Sequence, residues 1–175
     1  MLPGIAVMAG FSGSEVSIEL ADTKTTPNAS SFAGVNFGPD VSDRWIAIFL
    51  AIEDTASNPG SAPTMTDFTR ICAASTGNGS NTANGVALFV GQPSGSSGTV
   101  SFDWAGVGCT ITVLRTMGYA LSSAFDFKAN GDLGGGTYDI DIPTDGALMA
   151  MVARKDLVTD VTFSGITERG NDTST

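Results

Sequence analysis

The apolar positions of this chain recur with a period of two, in short runs separated by Gly, Pro, Asn, Asp and Ser. Half-buried strands joined by turns produce that pattern. In residues 15–21 (EVSIELA), Val16, Ile18 and Leu20 alternate with Glu15, Ser17 and Glu19, which predicts a strand with one wet face. Residues 44–53 (RWIAIFLAIE) are apolar almost throughout and rich in Ile, Phe and Trp, the signature of a central strand buried on both faces. Further strands are predicted over residues 65–73, 86–92, 99–104 and 109–117. In residues 99–104, Val100, Phe102 and Trp104 point one way and Ser101 and Asp103 the other. Residues 125–129 and 137–142 flank Asn130-Gly131, a dipeptide suited to a type I′ hairpin turn. Residues 146–154 (GALMAMVAR) form another buried run, onto which helical spacing also fits over 147–156, and residues 158–164 are expected as the last strand.

Between these runs, residues 23–43 carry Pro27, Asn28, Gly34, Gly38 and Pro39 and read as a long ordered loop or arm. Residues 54–64, 75–85, 92–98 and 105–108 are the other connections. Eight to ten short strands with long loops predict an all-β fold, an antiparallel two-sheet β-sandwich of jelly-roll-like kind. No linker splits the chain and no fixed-period repeat is present, so one domain is expected. Within it, residues 1–43 form an N-terminal strand and extended arm, and residues 44–175 the sandwich.

Composition narrows the function more than the fold. A chain of 175 residues buries roughly 70% of the surface its unfolded form exposes, enough for a substantial core. Charged residues make up only 15%, and eight basic side chains are too few to coat long helices. The net charge of −10 repels nucleic acid and anionic membranes, so neither is expected as a direct partner. Histidine is absent, which removes Ser-His-Asp triads, His-based acid–base chemistry and most catalytic zinc sites. No run approaches the roughly 18 apolar residues of a membrane span. Residues 1–11 lack the basic start of a signal peptide, so none is expected. Cys72 and Cys109 both sit in strand-like apolar runs and are expected as buried free thiols, with a disulfide between neighbouring strands as the open alternative.

Each candidate chemical motif has a plainer reading. Asp126, Lys128, Asn130, Gly131 and Asp132 imitate a calcium loop, but Lys128 stands where an oxygen ligand is required and Thr137 where a closing Glu belongs. A hairpin explains them better. Asp139, Asp141 and Asp145 offer paired carboxylates, yet Asp139 and Asp141 alternate with apolar residues as ordinary solvent-face positions do. The glycines of residues 131–136 lack the Lys and Ser/Thr of a phosphate loop, and no Gly-x-Ser-x-Gly elbow exists. Sequon matches at Asn28, Asn78 and Asn171 mark surface loops only. Trp45, Trp104, Phe68, Phe89, Phe125 and Phe127 would suit a sugar-stacking platform, but most fall at core-facing spacing. Accordingly, no catalytic residue, cofactor or metal is expected, and the chain reads as a non-enzyme.

One resemblance adds a specific expectation. The run 44–51 (RWIAIFLA) is followed by a Pro/Gly-rich loop, then by residues 85–93 (GVALFVGQP), 97–102 (SGTVSF), 109–114 (CTITVL) and 164–169 (SGITER). In that order these segments resemble small β-sandwich structural proteins of tailed phages and prophages, virion components of the capsid surface or of fibres and tails. The resemblance covers residues 44–169 and consists of strand patterns and turn residues. It implies a particle-building role without enzyme activity, a virion location after assembly in the host cytoplasm, and as partners the major capsid protein or other virion proteins. A homo-oligomer or symmetric array follows from the same source. Within the group a decoration or cement protein on the outer shell is the first expectation. A tail, baseplate or fibre component is the second, and a carbohydrate- or receptor-binding module the third. Members of the group usually run on beyond the Thr-Glu-Arg-like segment, so either a last strand comes from another chain or the architecture is trimmed. For docking, the apolar N-terminus (Leu2, Ile5, Val7, Met8 and Phe11) and the arm (Phe32, Val35 and Phe37) are the expected elements. The alternative is that Ile5, Val7 and Met8 belong to an edge strand of the chain's own sandwich.

Overall fold

A computed structural model describes residues 5–11, 13–54, 63–76, 83–104, 108–119, 121, 126–130, 140–142 and 147–153. Among these the fold is all-β and sandwich-like, with no helix. Ten strands occur in chain order: β1 Ile5–Phe11, β2 Gly13–Pro27, β3 Ser31–Asn36, β4 Arg44–Asp54, β5 Thr69–Thr76, β6 Ala83–Gly91, β7 Ser97–Ser101, β8 Gly108–Tyr119, β9 Asp126–Asn130 and β10 Ala147–Ala153. They make a five-stranded sheet ordered β2-β8-β4-β6-β5, a three-stranded sheet ordered β10-β1-β9 and a β3-β7 ribbon. Every pairing is antiparallel.

The five-stranded sheet is covered on both faces. Successive side chains of a strand point to opposite faces, and along β4 both sets are apolar. Ile46, Ile48, Leu50 and Ile52 pack with Phe32, Val35, Phe37, Val100, Phe102 and Trp104, from the ribbon and the segments flanking it. Ala47 and Phe49 pack on the other side with Ala147, Met149 and Leu121. In β6, Ala87 and Phe89 join the first core while Val86, Leu88 and Val90 join the second. This is the physical reason residues 44–53 and 86–90 lack alternation: both faces pack against apolar side chains. Where cover is partial, alternation returns. In β8, Cys109, Ile111 and Val113 are buried, while Thr110 and Thr112 between them are half-buried.

Two strand pairs link the layers. β2 pairs with β8 from Gly13↔Tyr119 to Pro27↔Gly108, and β1 pairs with β9 from Gly10↔Asp126 to Ala6↔Asn130. The same two stretches of chain therefore pair first in one sheet and then in the next. β1 also pairs along its whole length with β10, from Ile5↔Ala153 to Phe11↔Ala147. It is thus the central strand of its sheet, neither a free arm nor an edge strand.

The predicted loop over residues 23–43 is largely strand. The β-branched Thr23, Thr25 and Thr26 suit a pleated surface and carry β2 to Pro27, which ends an edge strand that has no further partner in its sheet. Asn28, at φ 54°, makes the turn into β3. Gly34, at φ 60°, sits in the irregularity between Phe32↔Val100 and Val35↔Gly98. The residues that suggest a loop here mark a turn and a bulge between strands. The strand predicted over 65–73 is also divided. Asp67, at φ 66°, turns the chain, Met65 makes isolated bridges to Phe68 and Phe102, and β5 starts at Thr69. Residues 140–142, expected to close a hairpin with β9, are not in a strand; the described partner of β9 is β1. Residues 137–139, Gly131 and the strand expected over 158–164 lie outside the described residues.

Cys72 and Cys109 are free and buried, and they belong to opposite cores of the same sheet, so they cannot pair. Burial pushes the Cys72 thiol from its ordinary 9.0 up to about 12, and the Cys109 thiol donates to Ala29 O at 3.0 Å. Thiolate is the reactive form. The folded protein is therefore expected to leave both thiols unreactive toward an aromatic disulfide reagent at pH 8, with two reacting after denaturation. Rapid reaction of either in the native protein would contradict the placement. A thiol pKa raised by folding stabilises the protein below the free-thiol range. That contribution is lost as pH rises from about 9 towards 12.

Candidate functional site

The most highly organised polar site lies where β4 begins. Arg44 is 2% exposed, an unusual position for a guanidinium. Its Nη1 donates to Gly38 O and Pro39 O, each at 3.0 Å, and its Nη2 to Asp40 Oδ1 at 3.2 Å and to Pro93 O. Asp40 accepts from Gly95 N at 2.8 Å through its other oxygen, and Gln92 Nε2 donates to Arg44 O at 3.2 Å. Phe37 N to Ser96 O, at 2.8 Å, continues the seam. Two loops, residues 37–43 and 92–96, are thereby fixed to the sheet end and to each other. Gly38, at φ +72°, packs so closely on Arg115 that a Cβ there would lie 2.6 Å from a guanidinium nitrogen. At the tip, Val41 is 42% exposed and Asp43 is exposed. Arg44 N to Val41 O, at 3.2 Å, closes the turn beneath them. This arrangement can present a rigid tip to a neighbour.

A second seam holds the segment before β5. Thr64 donates to Asp103 through both N and Oγ1, at 2.6 and 2.9 Å, and Asp103 N returns a bond to Thr64 O at 3.2 Å. Arg70 Nη1 donates to Pro63 O at 2.6 Å. On the outer edge, Glu19 pairs with Arg115 across the β2–β8 ladder, and Lys24 lies 3.7 Å from Asp22. Thr25 and Thr110 hydroxyls meet at 3.0 Å farther along the same ladder, and Leu20, opposite Leu114, is 51% exposed. The cations Lys24, Arg44, Arg70 and Arg115 are thus each engaged within the chain. Among the residues whose side chains are described, the exposed charges left for a partner include the carboxylates of Asp43 and Asp67. Such a surface steers toward cationic neighbours.

The sequence-predicted docking residues separate into three groups. Phe32, Val35 and Phe37 are buried in the chain's own core, so they attach β3 and its loop to the central sheet and face no partner. Ile5, Val7, Met8 and Phe11 lie in β1, paired on both sides. Leu2 lies outside the described residues. Sequence reasoning missed the Arg44 seam, although one signal was present. A lone arginine heads an apolar run and follows Gly38-Pro39-Asp40, which places loop carbonyls and a carboxylate within its reach.

The motif candidates fall as follows. Asp126, Lys128 and Asn130 lie on the extended strand β9, opposite Gly10, Met8 and Ala6, where the backbone does not wrap a cation. Gly131 and Asp132 lie outside the described residues, as do Asp139 and Asp145, and Asp141 is exposed. Among the described residues no three His, Cys, Asp or Glu side chains gather as a metal site would require. Of the aromatic platform candidates, Phe89 and Trp104 are buried, while Trp45 and Phe68 are half-buried against the two cores. Rings pair with rings inside: Phe32 with Phe102 at 6.0 Å, Phe37 with Phe68 at 6.2 Å. Phe125 lies outside the described residues, and Phe127 is in β9.

No protein-family model, curated protein or solved structure matches this chain. Its functional reading therefore rests on its own residues. They offer two pinned loops at one end of a rigid sheet, an acidic exterior, and exposed apolar side chains at Leu20, Val41 and Ile142.

Proposed function

We propose that this chain is a non-enzymatic structural subunit that works by packing against other proteins. Its specific place in this reading is a tailed-phage particle, as a decoration or cement protein on the outer shell. The observation that carries the proposal is where the phage-like segments fall. RWIAIFLA is in β4, GVALFVG in β6 and CTITVL in β8, three adjacent strands of the doubly covered sheet, with SGTVS as β7 above them. The described segments that carry the resemblance thus belong to one contiguous core, while residues 164–169 lie outside the described residues. Such a core suits a part that carries load, and the loops pinned by Arg44 suit contact with neighbours. A subunit bridging two capsomers adds a buried interface, roughly 1,200–2,000 Å² in standard cases, and symmetric repetition multiplies the effect. An acidic exterior keeps the finished particle dispersed and favours basic docking surfaces.

Location and stoichiometry in a purified particle test this. Hundreds of copies are expected for a shell protein, whereas tens or fewer would move it to tail, baseplate or fibre. Absence from particles, or turnover of a substrate by the purified chain, would overturn the proposal.

A further inference from the structure

We propose that the slot between β9 and β10 is an interaction site for β1 of a second copy of this chain, so that neighbouring subunits exchange their N-terminal strands. The inference rests on the assembly reading only for its biological setting; its physical basis is the topology. β1 is the first described element, yet both of its partners come from far along the chain: β9 at residues 126–130 and β10 at residues 147–153. Its seven residues, IAVMAGF, carry no charge. They therefore lack the charged side chains with which edge strands resist pairing with another chain. A single residue, Ser12, separates β1 from β2, and Gly13 follows it. β1 also lies against β5 and β6, whose Cys72, Val86, Leu88 and Val90 belong to the second core.

An empty slot would uncover that core and leave facing edges on β9 and β10, so the slot must be filled. Nothing in the pairing specifies which copy supplies the strand. The β1 of a neighbour makes the same ladder in the same register, and local concentration selects between the two arrangements. In a crowded symmetric array the neighbour's strand competes well, and each exchange ties two subunits together without any new surface. The expectation that the apolar N-terminus docks and the observation that it sits mid-sheet are then one property, since it docks as a strand.

Cysteine pairs at register partners test the exchange with the chain alone. One chain carries Met8→Cys and another carries Ala150→Cys; the second pair is Val7→Cys with Ala129→Cys, on the other side of the slot. Each mixture is unfolded together, refolded in reductant at high protein concentration and then mildly oxidised. Chains carrying both cysteines of a pair serve as controls. We expect the controls to link and each mixture to yield a covalent pair of unlike chains, seen as a doubled mass. Controls that link while mixtures stay monomeric would overturn the exchange, and controls that fail to link would overturn the register beneath it. Failure here leaves the particle location standing, and absence from particles leaves the exchange standing.

Discussion

Replacing Arg44 by Met is expected to lower stability by about 1–3 kcal/mol, the cost of leaving buried hydrogen-bond acceptors without their donor, since the freed Asp40 is 55% exposed and rehydrates. For a chain of this size that corresponds to a fall in Tm of about 2–12 °C. The substitution keeps the apolar stem and removes the head that serves Gly38 O, Pro39 O, Asp40 and Pro93 O. Three carbonyls then lose their donor beside a core. Val41→Ser is the matched control. Its side chain is 42% exposed on the loop that Arg44 holds, so a change within about 0.5 kcal/mol is expected. Urea midpoints read both. A loss below about 1 kcal/mol for Arg44→Met would mean that the seam does not hold the loops.

Removing residues 1–12 should have an even larger effect. A free docking arm would come away and leave the midpoint unchanged. A central strand cannot. Without it β9 and β10 lose their shared partner, and the second core loses cover over β5 and β6. Domains hold only about 5–15 kcal/mol in total, so the truncated chain is expected to lose cooperative unfolding and to bind a hydrophobic dye. A truncated chain that unfolds cooperatively at the full-length midpoint would contradict the placement of β1.

The parts of the fold that were legible in the sequence are those where local pattern and burial agree. Val100, Phe102 and Trp104 were expected to face a core and are buried, while Asp103 is exposed. The unbroken apolarity of residues 44–53 announced a strand covered twice, and β4 has an apolar core on each side. The all-β, sandwich-like fold is legible in the sequence as well, but the β3–β7 ribbon that covers one face is not, because period-two patterning tells which side of a strand is dry and not what dries it. In residues 23–43 Gly, Pro and Asn suggest a loop, whereas the structure has strands there. Pro27 ends an edge strand, Asn28 turns it and Gly34 sits in a bulge, and the pairing partners that reveal this, β8 and β7, lie some 60–90 residues away. The position of β1 was illegible for the same reason, since a run such as IAVMAGF looks alike at an edge, in a centre or in a partner's groove. At the candidate site, the buried role of Arg44 depends on carbonyls brought together by two loops, a long-range fact that local spacing only hints at.

Burial on both faces of the five-stranded sheet is the claim from which the rigid core, the silent thiols and the assembly reading follow. Hydrogen exchange resolved by strand tests it most directly. The amides of β4 and β6 should be the slowest in the molecule and exchange only with global unfolding, well behind the edge strand β2. Exchange of β4 as fast as that of β2 would show that one of its faces meets water and would contradict the account.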